Sequence, residues 1–229
     1  MRVLVADRLS ESSLDEMRTL GVEVSYEPDL EASELPGRLA GINVLVVRGT
    51  EVSKAAFEAG SALNLVIRAG AGVKNIDVST ASERGIYVAN CPGKNASAVA
   101  ELTFALIGSL DRRIPDGVAS LRAGRWEKNE FARAAGLRGR SLGILGLGHI
   151  GRAVVKIAHA YELSCFAWSR SLTAAKAAEL GVTRISTPGE LAKVSDIFSV
   201  HLDLTDRTRG IVDRKVLSDL AITQPDAFG

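Results

Sequence analysis

The sequence predicts an α/β protein made of two parallel-sheet units in series, on three observations. Short β-branched runs alternate with amphipathic segments through the first ninety residues. Pro92 and Gly93 interrupt that alternation, and a long apolar-faced segment follows. From Ser141 a second alternation opens with a strand, a glycine turn and a helix. Strands that alternate with helices form parallel sheets covered on both faces, and such strands read as continuous apolar runs.

The elements follow in order. Val3 to Ala6 is apolar and stops at Asp7. Ser10 stands where it can cap a helix whose apolar residues Leu14, Met17 and Leu20 recur at helical spacing, closed by Gly21. Val22 to Tyr26 is the next strand, Glu31 to Ala40 a helix, and Val44 to Val47 a strand. Lys54 to Ala59, Leu65 to Arg68, Val78 to Glu83 (ended by Gly85) and Ile86 to Ala89 continue the pattern. The boundary is placed after residue 94, giving domains of 1–94 and 95–229. Asn95 or Ser97 caps a long helix through Val99, Leu102, Leu106 and Leu110, which fails by Pro115. A second helix fits Asp116 to Ala123, and the arginine-rich stretch Gly124 to Gly139 reads as a surface connection. Ser141 to Leu145 then opens the second sheet.

Composition narrows the function. With 229 residues, 46% apolar content and a net charge of +1, the chain has a full core and no basic or acidic bias. That balance argues against nucleic acid or an anionic membrane surface as partner. No apolar run reaches the length of a membrane span, and the start does not read as a secretory leader. Cys91 and Cys165 lie far apart without metal spacing, so two reduced thiols in a cytoplasmic protein are expected, with no metal site.

The chemistry is carried by RSLGILGLGHIGRAVVKIAHAY, in which Gly146, Gly148 and Gly151 supply G-x-G-x-x-G between a strand and an amphipathic helix. The first glycine allows the tight turn, the second lets the backbone approach a pyrophosphate, and the third lets helix and strand pack closely. The helix N-terminus offers N–H groups and a positive dipole end to phosphates. The competing reading is a tight turn without a ligand. The next strand, Leu163 to Trp168, ends in Ser169-Arg170, and no Asp or Glu lies between Leu163 and Lys176. An NAD site places an acid there for the ribose hydroxyls; a hydroxyl and a guanidinium suit a 2′-phosphate. The expected cofactor is NADP or NAD, with NADP favoured by Ser169 and Arg170, against a plain solvated arginine.

The runs RAGAGVKNIDV (68–78), GIYVANCPGKNASAVAEL (85–102), GRWEKNEF (124–131), LRGRSLGILGLGHIGR (137–152) and DIFSVHLDLTDRTRG (196–210) occur together and in order. Together they resemble the D-isomer-specific 2-hydroxyacid dehydrogenases, in the D-3-phosphoglycerate dehydrogenase and glyoxylate/hydroxypyruvate reductase branch. The resemblance implies a flavodoxin-like substrate domain followed by a Rossmann-type dinucleotide-binding domain, incomplete at its C-terminus. It implies oxidation of a D-2-hydroxy acid, or reduction of the 2-keto acid, with substrate held between the domains. Arg48 and the turn Gly70, Ala71, Gly72, Val73 and Lys74 follow strand ends, where open α/β sheets bind ligands. The amides of that turn resemble the family's carboxylate nest. The resemblance also assigns cofactor contact to His149, Ile150, Ala71, His201 and Leu202. His201 is read as a cofactor-lining residue and not as the catalytic acid, His159 as a packed or exposed histidine, and Asn75 and Asp77 as turn-fixing residues. A homodimer is implied through the helix from Asn95 and the Arg125–Arg133 segment.

The family's chemistry uses an Arg in an N-x-x-R-G loop, a Glu and a His. Arg209-Gly210 falls too early to be that loop, and no catalytic residue is assigned. The chain runs through Leu217-Ser218-Asp219-Leu220 to Gln224–Gly229, where a further strand would begin. The expectation is a C-terminally truncated chain with little or no activity. A non-catalytic dinucleotide-binding or interaction module is the alternative.

Overall fold

The computed structural model describes residues 1–214, 216 and 217. The expected further strand near 224–229 lies outside the described residues. Two compact units are present, one ending at Asn95 and the other beginning at Ala96.

The first unit runs β1 (Arg2–Val5), α1 (Glu11–Thr19), β2 (Glu23–Tyr26), α2 (Leu35–Arg38), β3 (Val44–Val47), α3 (Lys54–Ala59), β4 (Leu65–Arg68), α4 (Val78–Glu83) and β5 (Tyr87–Asn90). Its five strands are all parallel in the order β2-β1-β3-β4-β5, the flavodoxin-like doubly wound order. Val3 pairs with Val44 and Leu4 with Leu45, so successive side chains feed opposite faces. Leu4, Leu45, Val47 and Val66 meet Leu35, Leu39 and Phe57 on one face. Val3, Val5, Val44 and Val46 meet Leu14 on the other. Each fully buried leucine or phenylalanine contributes roughly 2 kcal/mol, so β3, buried at all four positions, is the least replaceable strand. Ser10 caps α1 as expected, accepting from the Ser13 N–H, and Gly21 follows its end at φ 72°.

The helix expected over 31–40 is only the single turn Leu35–Arg38. Pro36 explains this: lacking an N–H and clashing with the preceding turn, proline is tolerated in the first turn of a helix and not in its interior.

The second unit runs α5 (Ala96–Asp111), α6 (Ile114–Arg122), α7 (Lys128–Phe131), β6 (Ser141–Leu145), α8 (His149–Ala160), β7 (Ser164–Trp168), α9 (Ala174–Glu179), β8 (Thr183–Arg184), α10 (Pro188–Lys193) and β9 (Ile197–Val200). All pairings are parallel, in the order β8-β7-β6-β9. Counted from β6 this is 3-2-1-4, the opening of the Rossmann order, with the direction of winding reversing between β6 and β9. Leu142 and Ile144 pack with Val154, Val155 and Ala158 of α8 and with Ala100, Phe104 and Ile107 of α5. Phe104 stacks on Tyr161 with ring centroids 5.1 Å apart.

The long helix starts at Ala96, so Asn95, one of the two cap candidates, stands immediately before its first residue. Two local expectations shift. The helix expected from Asp116 starts at Ile114, because Pro115 is accommodated in its first turn after Arg113 turns the chain at φ 50°. The connection 124–139 contains α7, whose Phe131 lies 5.2 Å beneath the Arg113 guanidinium. No helix among the described residues is long and apolar enough to cross a membrane.

Candidate functional site

In the second unit β6 ends at Leu145 and α8 begins four residues later. Gly146 makes the turn at φ 105° and donates its N–H to the Trp168 carbonyl at 2.8 Å. A Cβ there would stand 2.5 Å from the His201 carbonyl oxygen and 2.8 Å from Leu202 Cδ2. A Cβ on Gly151 would run into the Gly146 carbonyl oxygen. Gly148 differs: nothing lies within 4 Å of where its Cβ would be, and it begins α8 with no side-chain cap. Two of the glycines permit packing and the third leaves space open. The first turn of α8 has no intrahelical acceptors for its N–H groups, and no other described residue accepts from Gly148, His149, Ile150 or Gly151. A turn closed to any Cβ at Gly146 and Gly151 and open at Gly148, at the positive end of a twelve-residue helix, fits a dinucleotide's pyrophosphate.

The expected cofactor residues converge on this turn. His201 and Leu202 follow β9 across the switch point and pack on Gly146. The His201 N–H donates to the Leu145 carbonyl at 2.8 Å, and its Nε2 lies 2.9 Å from Ser199 Oγ. Burial pushes the His201 imidazole below its ordinary pKa, favouring the neutral ring. His149 is exposed at the start of α8, and Ile150 packs on the core. Ser169 lines a cavity of about 50 Å³ with Leu147, Arg152, Ser171, Leu172, Lys176 and Leu180, whereas Arg170 is exposed and outside that lining. Arg152 and Lys176 escaped the sequence reading; the available signal was a basic residue directly after the third glycine. His159 is exposed, its Nε2 3.1 Å from the Gly181 carbonyl oxygen.

In the first unit the winding reverses between β1 and β3. Asp7, two residues past β1, accepts at Oδ2 from the N–H groups of Arg48 (2.6 Å), Gly49 (3.0 Å) and Thr50 (3.0 Å). Burial pushes the Asp7 carboxyl up, but these bonds and the Thr50 hydroxyl outweigh it, so its pKa lies below the ordinary value. The Arg48 side chain is exposed, and its carbonyl accepts from Arg68 Nε at 3.0 Å. The Arg68 guanidinium folds over Gly70, so that a Cβ on Gly70 would collide with it. Beyond it, the Ala71 carbonyl accepts from Asn90 Nδ2 at 2.8 Å, and the Val73 carbonyl from the Ile76 N–H at 3.0 Å. The N–H groups of Ala71, Gly72, Val73 and Lys74 donate to no described residue. Four consecutive amides are thus presented next to a cation, Arg68, that the sequence reading had treated only as the end of a strand.

Lys74 lines a shallow cavity of about 290 Å³ together with Ser53, Lys54 and Asn75. Asn75 Nδ2 donates to the Thr50 carbonyl at 2.8 Å, and Asp77 caps α4 by accepting from the Thr80 N–H. The Ser79 and Thr80 hydroxyls hold the Asp77 carboxyl at a pKa of about 2. Cys165 is buried, which pushes its thiol up to about 11, and Cys91 is half-buried. Among the described residues no three His, Cys, Asp or Glu side chains are placed to hold a metal ion.

Residues 104–224 match the family model of the D-isomer specific 2-hydroxyacid dehydrogenase NAD binding domain. The chain is 36% identical over 219 residues to a D-3-phosphoglycerate dehydrogenase of Methanocaldococcus jannaschii, covering 95% of this chain and 41% of that one. It is 38% identical over 200 residues to a hydroxypyruvate reductase of Thermotoga maritima, covering 87% of this chain and 63% of that one. The solved structure of an acyclic imino acid reductase, Bsp5, in complex with NADPH and D-arginine superimposes with a TM-score of 0.83 at 28% identity. That superposition covers 96% of this chain and 71% of the other. The chain spans about two fifths of the length of the phosphoglycerate dehydrogenases it matches.

Proposed function

The chain belongs to the D-isomer specific 2-hydroxyacid dehydrogenases, and from that membership we propose that it is part of an NAD(P)-dependent oxidoreductase acting on a D-2-hydroxy acid or its 2-keto counterpart. The observation that carries the proposal is the glycine turn, closed to any Cβ at Gly146 and Gly151 and open above Gly148. The dinucleotide, when bound, supplies or accepts the hydride. The amides of Gly148, His149, Ile150 and Gly151 hold its pyrophosphate, Ser169 and Arg170 meet the adenosine ribose, and His201 and Leu202 line its path.

In this reading residues 1–94 form the substrate domain and 95–229 the cofactor domain. The amides of Gly70 to Lys74 hold the substrate carboxylate, with Arg48 and Lys74 adding positive charge and Arg68 fixing the turn. The proposal includes a cytoplasmic homodimer. Its contact is the exposed apolar stripe of Leu102, Leu106 and Leu110 on α5 and Ile114, Val118 and Leu121 on α6.

The test is titration of the purified chain with NADPH and NADH. Saturable, dinucleotide-dependent binding is expected, and absence of binding removes the cofactor reading. Sedimentation as a monomer at micromolar concentration removes the dimer.

A further inference from the structure

The small cavity at the end of β7 says more about which dinucleotide is taken. Its walls come from three places: Leu147 of the glycine turn, Arg152 of α8, and Ser169, Ser171, Leu172, Lys176 and Leu180 along the β7–α9 loop and α9. Arg152 spends its Nε on the Leu147 carbonyl at 3.2 Å, which anchors the guanidinium, and no described carboxylate pairs with the remaining nitrogens. Lys176 pairs with Glu179 at 2.6 Å, but both side chains are substantially exposed, and such a pair gives way to a stronger anion at little cost. The hydroxyls of Ser169 and Ser171 donate to no described residue. At about 50 Å³ the cavity holds a few waters or one compact group, far less than a pocket for a whole small molecule.

Two cations and two free hydroxyls stand beside three leucines around so small a space, and no acid lies from Leu163 to Lys176, so the polar part of the lining suits a phosphate monoester. In a dinucleotide-binding unit the end of the second strand lies against the adenosine ribose C2′. Here that position is Ser169, itself a wall of the cavity.

We propose that this cavity seats the 2′-phosphate of NADP, with Arg152 and Lys176 as its charge partners and Ser169 and Ser171 as its hydroxyl donors. Arg170, exposed at the rim, covers the phosphate without deciding the preference. The proposal rests on the NADP reading above and relocates its main determinant from the loop to α8 and α9.

The experiment is binding of NADPH, NADH, 2′,5′-ADP and 5′-ADP to the full chain, followed by tryptophan fluorescence or calorimetry. Arg152→Gln and Lys176→Gln each weaken NADPH and 2′,5′-ADP about tenfold and leave NADH and 5′-ADP unchanged, and Arg152→Lys recovers part of the loss. Arg170→Gln changes NADPH by no more than about threefold. If the preference survives both glutamine variants and disappears in Arg170→Gln, the cavity is not the phosphate seat, although the NADP reading stands. A parallel loss of NADH affinity makes Arg152 and Lys176 parts of the glycine-turn scaffold and overturns the proposal. Wild-type chain that binds NADH more tightly than NADPH removes the NADP reading itself.

Discussion

The two units each end a pair of parallel strands in a turn full of backbone amides at a point where the winding reverses, and they hold those turns by opposite means. In the second unit the turn is held by missing side chains. Gly146 and Gly151 let the β6–α8 turn close until backbone touches backbone and Leu202 seals the gap. In the first unit it is held by an added side chain: the Asp7 carboxylate gathers three successive amides from a loop 41 to 43 residues away. A glycine cradle is rigid because nothing in it can move without a clash. A carboxylate latch is rigid only while charged, and it ties the loop's conformation to pH.

The sharpest way to break the comparison is Gly151→Ala. The new methyl meets a main-chain oxygen that cannot rotate away, so α8 must shift from β6. A loss of about 3 kcal/mol is expected, with Gly146→Ala comparable because φ 105° strains any L-residue there. Both tryptophans, Trp126 and Trp168, lie in the second unit, so denaturant unfolding followed by tryptophan emission reads this unit alone. A midpoint unchanged in Gly151→Ala rules out the close approach of α8 to the turn.

Asp7→Ala should cost about 2 kcal/mol in the first unit, since it strands three amides that a charged acceptor had satisfied. Hydrogen exchange at Arg48, Gly49 and Thr50 should accelerate while exchange in the second unit is unaffected. The sign of the pH effect follows from the lowered pKa. The carboxylate's contribution is fully present above its unfolded value of 3.8 and is lost as pH falls through the lower folded value. Between those limits wild type should lose stability relative to Asp7→Ala, and the two acid limbs should converge. Limbs that stay parallel throughout would mean that the latch does not operate through ionised Asp7.

The contrast also explains what was legible beforehand. The glycine cradle is encoded within six residues, and its flanking strand and helix carry their own periodicities, so the turn, β6 and α8 could be read directly. Strands β3 and β4 and helices α3 and α4 were equally plain, being short apolar runs between caps. The Asp7 latch was illegible because its partners are main-chain amides, which carry no residue signature, brought near by pairing of β1 with β3. Arg68 was hidden for a related reason: a strand-end arginine looks solvated until the fold lays it over Gly70. The 31–40 helix failed on a local rule that was available, since Pro36 already forbids an interior position there.

Gly148→Ala has the smallest effect on the fold and separates the two jobs done by the glycines. Its φ of −72° suits alanine, and no atom stands within 4 Å of the added methyl. Alanine begins a helix less well than glycine, so the cost in stability should stay within about 1 kcal/mol. The methyl nevertheless occupies the space above the first turn of α8, where a pyrophosphate must come within hydrogen-bonding distance of the amides. Affinity for dinucleotide should fall about tenfold or more, equally for NADPH and NADH, because the pyrophosphate is common to both. An unchanged affinity would place the phosphates elsewhere and reduce all three glycines to packing. A loss for NADPH alone would mean that the methyl disturbs the cavity at Ser169 instead of the helix terminus. Only a uniform loss in a chain that still folds shows that the open glycine serves the ligand and the closed ones serve the fold.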